Sequence, residues 1–335
     1  MTRLDLPSAP RLLLEADLRP IQGTRFQPTG FPDLGAATYR LPDERGTEML
    51  LVESAQSVAN RLESAVWDDA EDDLVAPLRG LPYVKVVRDG KALTNSLLEA
   101  HRLNSVYIKN SDIFESIRSE IGKSGDQPIK RQSFVGTLCK YDPSCLLHGI
   151  FIPEKSTNAL RLARALSGFI EARDVRVVSG GGVKNDRVHA GKDASGAGAD
   201  AGFGNVPYHR DEYTAGSITA YFNLDLAQLR SYRLGADLER LLFGLAVFKI
   251  RRFLGEGLRL RTACDFEATT VRVTRLDGYD LPGLGVVAEV LPELIAAVAR
   301  AGLFATPAIT VAHYQESGKA KPEAAEGAKK KGKGK

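Results

Sequence analysis

The chain has 335 residues, 43% of them hydrophobic, enough to bury a sizeable core in one large domain or two ordinary ones. Its net charge is +3, but residues 316–335 hold seven lysines against three glutamates, so the rest of the chain carries about −1 and no global basic field steers a polyanion to it. No run approaches the ~18 consecutive apolar residues of a membrane span, and three cysteines, an odd number, do not make a disulfide framework. With no secretory pattern around the short apolar run 12–14, a cytoplasmic protein is expected.

Taken in order, residues 11–18 predict a core strand that runs into Pro20 and a Gly/Pro-rich stretch, 22–35, which cannot be helical throughout. Apolar spacing predicts a helix over 51–66, and alternation predicts a strand over 83–88 that ends in the hairpin signal Asp89-Gly90. Helices are predicted over 96–107, 112–121 and 132–139, then an apolar segment over 145–152 and a further helix over 157–172. A strand over 175–178 precedes the clearest break in the chain. Residues 180–204 are rich in Gly, Ala, Asp and Lys and have almost no apolar anchors, and a long loop of this kind is functional or disordered. Beyond it come a strand (218–226), a helix apolar on most faces (237–254), a strand (269–274), a helix (291–301) and a strand (308–312). Strands and helices mix without regular βα alternation, which predicts an α+β fold. The Lys/Gly/Ala tail, 316–335, is expected to be disordered.

Tests for catalytic chemistry fail. Gly122-Lys123-Ser124 resembles the end of a phosphate-binding loop, but the glycine needed five positions earlier is Ile117. The glycine run 180–204 is followed by a strand, not the helix of a dinucleotide site. Cys139, Cys145 and His148 lack a fourth ligand at zinc-type spacing and read as core residues. No metal or cofactor is predicted.

Basic residues near turns and glycines are the better candidates. Arg251, Arg252, Arg259 and Arg261 flank Gly255-Glu256-Gly257, either as cations favoured at a helix C-terminus or as phosphate ligands. Lys184, Arg187, His189 and Lys192 lie in the glycine run, and His209 and Arg210 follow it, either solvated or facing phosphate. Arg25, Phe26 and Gln27 offer a cation, a stacking ring and backbone donors.

Several segments together resemble a known family: 22–35 (QGTRFQPTGFPDLG), 53–63 (ESAQSVANRLE), 142–149 (DPSCLLHG), 164–171 (RALSGFIE), 206–214 (VPYHRDEYT) and 257–264 (GLRLRTAC). The set is similar to the CRISPR-associated RAMP backbone subunit of type I-G (formerly I-U) Cascade complexes, over nearly all of 1–315. The resemblance implies an elaborated ferredoxin-like (RRM-like) palm with finger and thumb insertions, the thumb at about 180–205. Copies of such a subunit polymerise along a crRNA spacer and present it for pairing with target DNA in antiviral defence. The other partners it implies are a large subunit, a repeat-end-binding subunit and a recruited helicase-nuclease. Protein of this kind reads phosphate and shape and leaves sequence to base pairing. Asn60 and Arg61 then join the basic residues above as candidate RNA contacts.

The resemblance implies no cleavage by this subunit. The rival enzyme reading is a RAMP-type endoribonuclease using Asp33, whose other reading is a turn after Pro32. A generic single-stranded RNA chaperone is a third possibility.

Overall fold

The computed structural model describes residues 4–31, 35–122, 130–153, 159–184, 206–256, 258–276 and 278–315. Strand β1 (Arg11–Pro20) alternates as its sequence demands, with Leu12, Leu14, Ala16 and Leu18 buried on one face. After it come the short strands β2 (Gly30–Phe31), β3 (Gly35–Ala36) and β4 (Thr38–Arg40), then β5 (Glu48–Glu53) and helix α1 (Ala55–Ser64). The expected helix over 51–66 is therefore divided. Leu50 and Val52 are buried in β5, and the Ser54 hydroxyl, accepting from the Ser57 amide, starts the helix only at Ala55.

The strands β6 (Trp67–Asp68), β7 (Asp73–Leu74), β8 (Tyr83–Arg88) and β9 (Lys91–Asn95) follow, the last pair joined by Asp89 and Gly90, both at positive φ as a two-residue hairpin turn requires. Residues 96–107 are mostly not helical. The Asn95 carboxamide accepts from the Leu97 and Leu98 amides, Arg102 sits at φ 53°, and what remains is a 3-10 turn over Arg102–Asn104 and the one-turn helix α2 (Val106–Lys109). Helices α3 (Phe114–Glu120), α4 (Arg131–Tyr141) and α5 (Ser144–His148) lead to the hairpin β10 (Ile150–Ile152) and β11 (Leu160–Leu162).

The helix expected over 157–172 is replaced, in its described part, by β11 and β12 (Leu166–Arg173). Leu166, Gly168, Ile170 and Ala172 alternate inward, and Gly168 is required there, since a Cβ would stand 2.7 Å from the Phe222 ring and 2.8 Å from the Tyr221 carbonyl. The glycine run opens as strand, not loop: β13 (Arg176–Lys184) pairs antiparallel with β14 (Val206–Thr214) from Arg176↔Thr214 to Lys184↔Val206. Then come β15 (Ser217–Asp225), α6 (Leu226–Ser231), α7 (Ala236–Gly255), β16 (Leu258–Arg261), β17 (Cys264–Arg275), α8 (Leu284–Arg300) and β18 (Ile309–His313). The expected helix 291–301 is the second half of α8, which runs through Pro292. The tail 316–335 lies outside the described residues.

Seven strands form one antiparallel sheet in the order β16-β17-β1-β15-β12-β5-β4. Helix α1 lies against β12 and α7 against β16 and β17, so the core fills between these helices and one sheet face. The opposite face carries half-exposed Glu15, Phe169, Tyr221 and Asn223. A smaller sheet, β18-β8-β9, returns the C-terminal strand to the segment between α1 and α4, with β18 parallel to β8. The fold is α+β, and among the described residues no helix is long and apolar enough to cross a membrane.

Candidate nucleic-acid interface

The β13–β14 pair projects as an arm from between β12 and β15, and its base is where Arg25 and Arg210 meet. Arg25 Nη1 donates to Glu212 Oε2 at 2.9 Å and Arg210 Nη2 to Glu212 Oε1 at 2.7 Å. Glu212 is buried while Arg25 is mostly exposed, so one carboxylate holds two guanidiniums and the group keeps a charge of +1. The position follows from the backbone: Phe26 exchanges both hydrogen bonds with Tyr213 (2.9 and 2.8 Å), and Gln27 donates its amide to the Ala263 carbonyl at 2.7 Å. Phe26 is not a stacking ring for RNA. It is buried and meets Phe266 edge-on at 5.4 Å. His209, on β14, is exposed and lies 3.8 Å from Asp211.

A second group of the same kind sits where α1 approaches the loop from β16 to β17. Arg61 and Arg261 both donate to Oε1 of the buried Glu53, and Arg61 also donates to the Leu260 carbonyl at 2.5 Å. Next to it a hollow of about 260 Å³ is lined by Arg61, Arg252 and Arg259. Arg252 pairs with Glu256 one turn on at 2.6 Å, and Arg259, three-quarters exposed, lies 3.6 Å from Asp265. Asn60 is exposed on α1. Arg251 faces elsewhere, donating to the Leu281 and Pro282 carbonyls at 2.6 and 3.1 Å, and burial lowers its pKa. The structure thus brings Arg25 to Arg210, and Arg61 to Arg252, Arg259 and Arg261, while Arg251 stays apart. The Lys184 side chain, Arg187, His189, Lys192 and Asp33 lie outside the described residues.

The open sheet face is less suited to phosphate. Phe169 stacks on Tyr221 at 5.0 Å and 24°, but Glu15 and Asp17 share Arg272, and Glu171 accepts from the Tyr39 hydroxyl.

Sequence reasoning also missed a buried polar network behind α5. Arg102 donates to both oxygens of Glu63 (2.5 and 2.7 Å), and the fully buried Lys249 reaches His148 Nε2 at 2.9 Å and Ser144 Oγ at 3.3 Å. Desolvation raises Asp142 to about 6 and lowers Lys249 to about 8. A lysine inside the apolar run 241–250 of α7 was the available signal. Cys139 and Cys145 are buried beside this network, the Cys139 thiol pushed up to about 12 by burial, and among the described residues no three His, Cys, Asp or Glu side chains converge on a metal position.

Residues 12–177, just under half of the chain, match the model of a family described as CRISPR-associated protein GSU0053. The N-terminal half is therefore similar to a CRISPR-associated family. Among solved structures, a chain of "CRISPR RNA-guided surveillance complex, pre-nicking" aligns at 14% identity and TM-score 0.41, covering 87% of this chain and 88% of that one. Csc2 of Thermofilum pendens aligns at 11% identity and TM-score 0.32, covering 86% of this chain and 76% of that one. A chain of another "CRISPR RNA-guided surveillance complex" aligns at 15% identity and TM-score 0.28, covering 73% and 71%. No curated protein matches.

Proposed function

We propose that this chain is a non-catalytic, crRNA-binding backbone subunit of a type I-G CRISPR surveillance complex in the cytoplasm. Copies of it would line the spacer and present it to target DNA, beside the large and repeat-end-binding subunits and a recruited helicase-nuclease. The observation that carries the reading is the place of the arm. Strands β17-β1-β15-β12 stand in the order of a ferredoxin-like unit, with α1 in the first crossover and α7 in the second. The β13–β14 arm is inserted between the two hairpin strands of that unit, where it serves as the thumb, and the segment from β6 to β11 as the fingers. The family match over 12–177 supports the same reading.

On this proposal Arg25 and Arg210 at the root of the arm, with Arg61, Arg252, Arg259 and Arg261 at the hollow, are phosphate ligands whose partner carboxylates hold them extended. Lys184, Arg187, His209, Gln27 and Asn60 complete the set. Assembly is then RNA-dependent and salt-sensitive.

The test is to extract and sequence the nucleic acid that co-purifies with the complex. Uniform repeat-spacer RNAs, left uncut by the purified chain, are expected. Mixed cellular RNA, or RNA cleavage that Asp33→Ala abolishes, would overturn the proposal.

A further inference from the structure

A cleft of about 1010 Å³ lies between the segment 100–110 and the β10–β11 hairpin. Its walls carry His101, Arg102, Lys109, Arg161 and Arg164, and among the described residues no Asp or Glu lines it. Arg102 is neutralised by Glu63, and Arg164 is anchored to the Ala55 carbonyl (3.1 Å) and the Gln56 carboxamide. His101, Lys109 and Arg161 are exposed and have no carboxylate partner among the described residues, unlike the paired arginines of the arm root and the hollow.

The cleft offers more than charge. Phe151 and Arg161 are directly opposite in the hairpin, and the guanidinium lies 5.3 Å from the ring centroid of the half-exposed Phe151. They form a flat ledge suited to a nucleobase face. Gly149 sets this hairpin close to α5: it sits at φ 74°, and a Cβ there would stand 2.5 Å from the Leu162 carbonyl. His148 also lines the cleft, and its Nδ1 has no partner among the described residues.

Cations without a carboxylate partner among the described residues would hold any polyanion, but an acidic peptide has no use for the ledge. A single strand with splayed bases uses both. We infer that this cleft is a second binding site for single-stranded RNA, with Lys109 and Arg161 on phosphates and a base stacked on Phe151. The site is distinct from the hollow: no residue lines both, and Gln56 of the cleft and Arg61 of the hollow, both on α1, are separated by about 7.5 Å along the helix and about 140° around it. The inference rests on the reading of the chain as an RNA-binding subunit.

Fluorescence anisotropy of the RNA-free full chain with a labelled oligouridylate, over a salt series, tests it. The exposed pair Lys109→Ala/Arg161→Ala is expected to lower affinity about tenfold and to reduce the log–log salt slope by about 1.4, with the melting temperature unchanged. Phe151→Ala is expected to lower affinity and leave the slope alone, and 4-thiouridine in the oligonucleotide to crosslink at 150–152. Unchanged affinity and slope in both variants overturns the inference. So does a polyglutamate peptide that binds more tightly than RNA and is lost in the same variants, which would assign the cleft to an acidic protein. If repeat-spacer RNA co-purifies while the cleft variants bind normally, only the cleft fails. If no guide RNA co-purifies but the variants lose the oligonucleotide, the cleft stands and the backbone reading fails.

Discussion

The fully buried Lys249 of α7 donates to Nε2 of His148 on α5 at 2.9 Å. An ammonium can only donate, so Nε2 is the unprotonated nitrogen and the ring carries its proton on Nδ1. Burial, with Lys249 and Arg102 nearby, pushes the pKa of His148 well below its ordinary value and keeps it neutral. Lys249 in turn balances Glu63 and Asp142. Lys249→Met keeps the volume but removes the donor to His148 Nε2 and Ser144 Oγ, and at pH 10, where the lysine is largely an amine, should cost about 1–3 kcal/mol in urea unfolding. At pH 7 the loss should be smaller, because the variant also sheds a desolvated charge. An unchanged midpoint at pH 10 would exclude the donor role.

The same lysine gives a pH signature. Its pKa falls from 10.5 in the unfolded chain to about 8 in the folded one, so its charge costs stability at neutral pH. That cost is relieved as pH rises through about 8 and is gone above 10.5, because over this window the unfolded chain binds more protons than the folded one. Unfolding free energies measured from pH 7 to 10 should therefore rise in the wild type relative to Lys249→Met. Parallel curves would show that Lys249 does not titrate in this window.

The glycines of the arm separate two kinds of crowding. A Cβ on Gly181 would stand 2.6 Å from the Tyr208 carbonyl, part of the paired strand, whereas a Cβ on Gly182 would meet the far end of the Tyr208 side chain at 2.8 Å. Backbone cannot move without breaking the β13–β14 register, but a half-exposed tyrosine can turn away. Gly181→Ala should therefore abolish RNA-dependent assembly in size-exclusion chromatography while lowering the melting temperature by only a few degrees. Gly182→Ala should assemble normally. Equal behaviour of the two would mean that arm geometry does not govern assembly.

What the sequence made legible follows from which signals are local. The alternation of β1, the Asp89-Gly90 turn and the apolar helix α7 are set by neighbours in the chain, and they appear where periodicity places them. The strand β12 was hidden because Leu166, Ile170 and their neighbours fit a helical spacing as well, and only the close approach of Phe222 to Gly168 decides for the sheet. Residues 180–184 looked like the start of a loop because glycine has poor strand propensity, yet pairing with β14 and the overlying Tyr208 carry them as strand. The basic residues were visible as types, but their carboxylate partners are up to 208 positions away, as in Arg261 on Glu53. Nothing local distinguishes such an arginine from Arg161, which has no carboxylate partner among the described residues.

That distinction separates two adjacent residues. Arg251 and Arg252 look equivalent in the sequence, but Arg251 gives two donors to the Leu281 and Pro282 carbonyls that lead into α8, and Arg252 borders the hollow with Arg61 and Arg259. Arg251→Ala leaves those carbonyls without their donors and should cost about 1–3 kcal/mol of stability, read as a lower urea midpoint. It should leave RNA retention per folded molecule unchanged. Arg252→Ala loses only an exposed i,i+4 pair with Glu256, worth a few tenths of a kcal/mol, so its midpoint should barely move. If the hollow holds phosphate, Arg252→Ala should instead release RNA at lower salt, with the log–log slope reduced by about 0.7. The reverse pattern, RNA lost with Arg251→Ala at unchanged stability, would move the contact from the hollow to the α7–α8 connection.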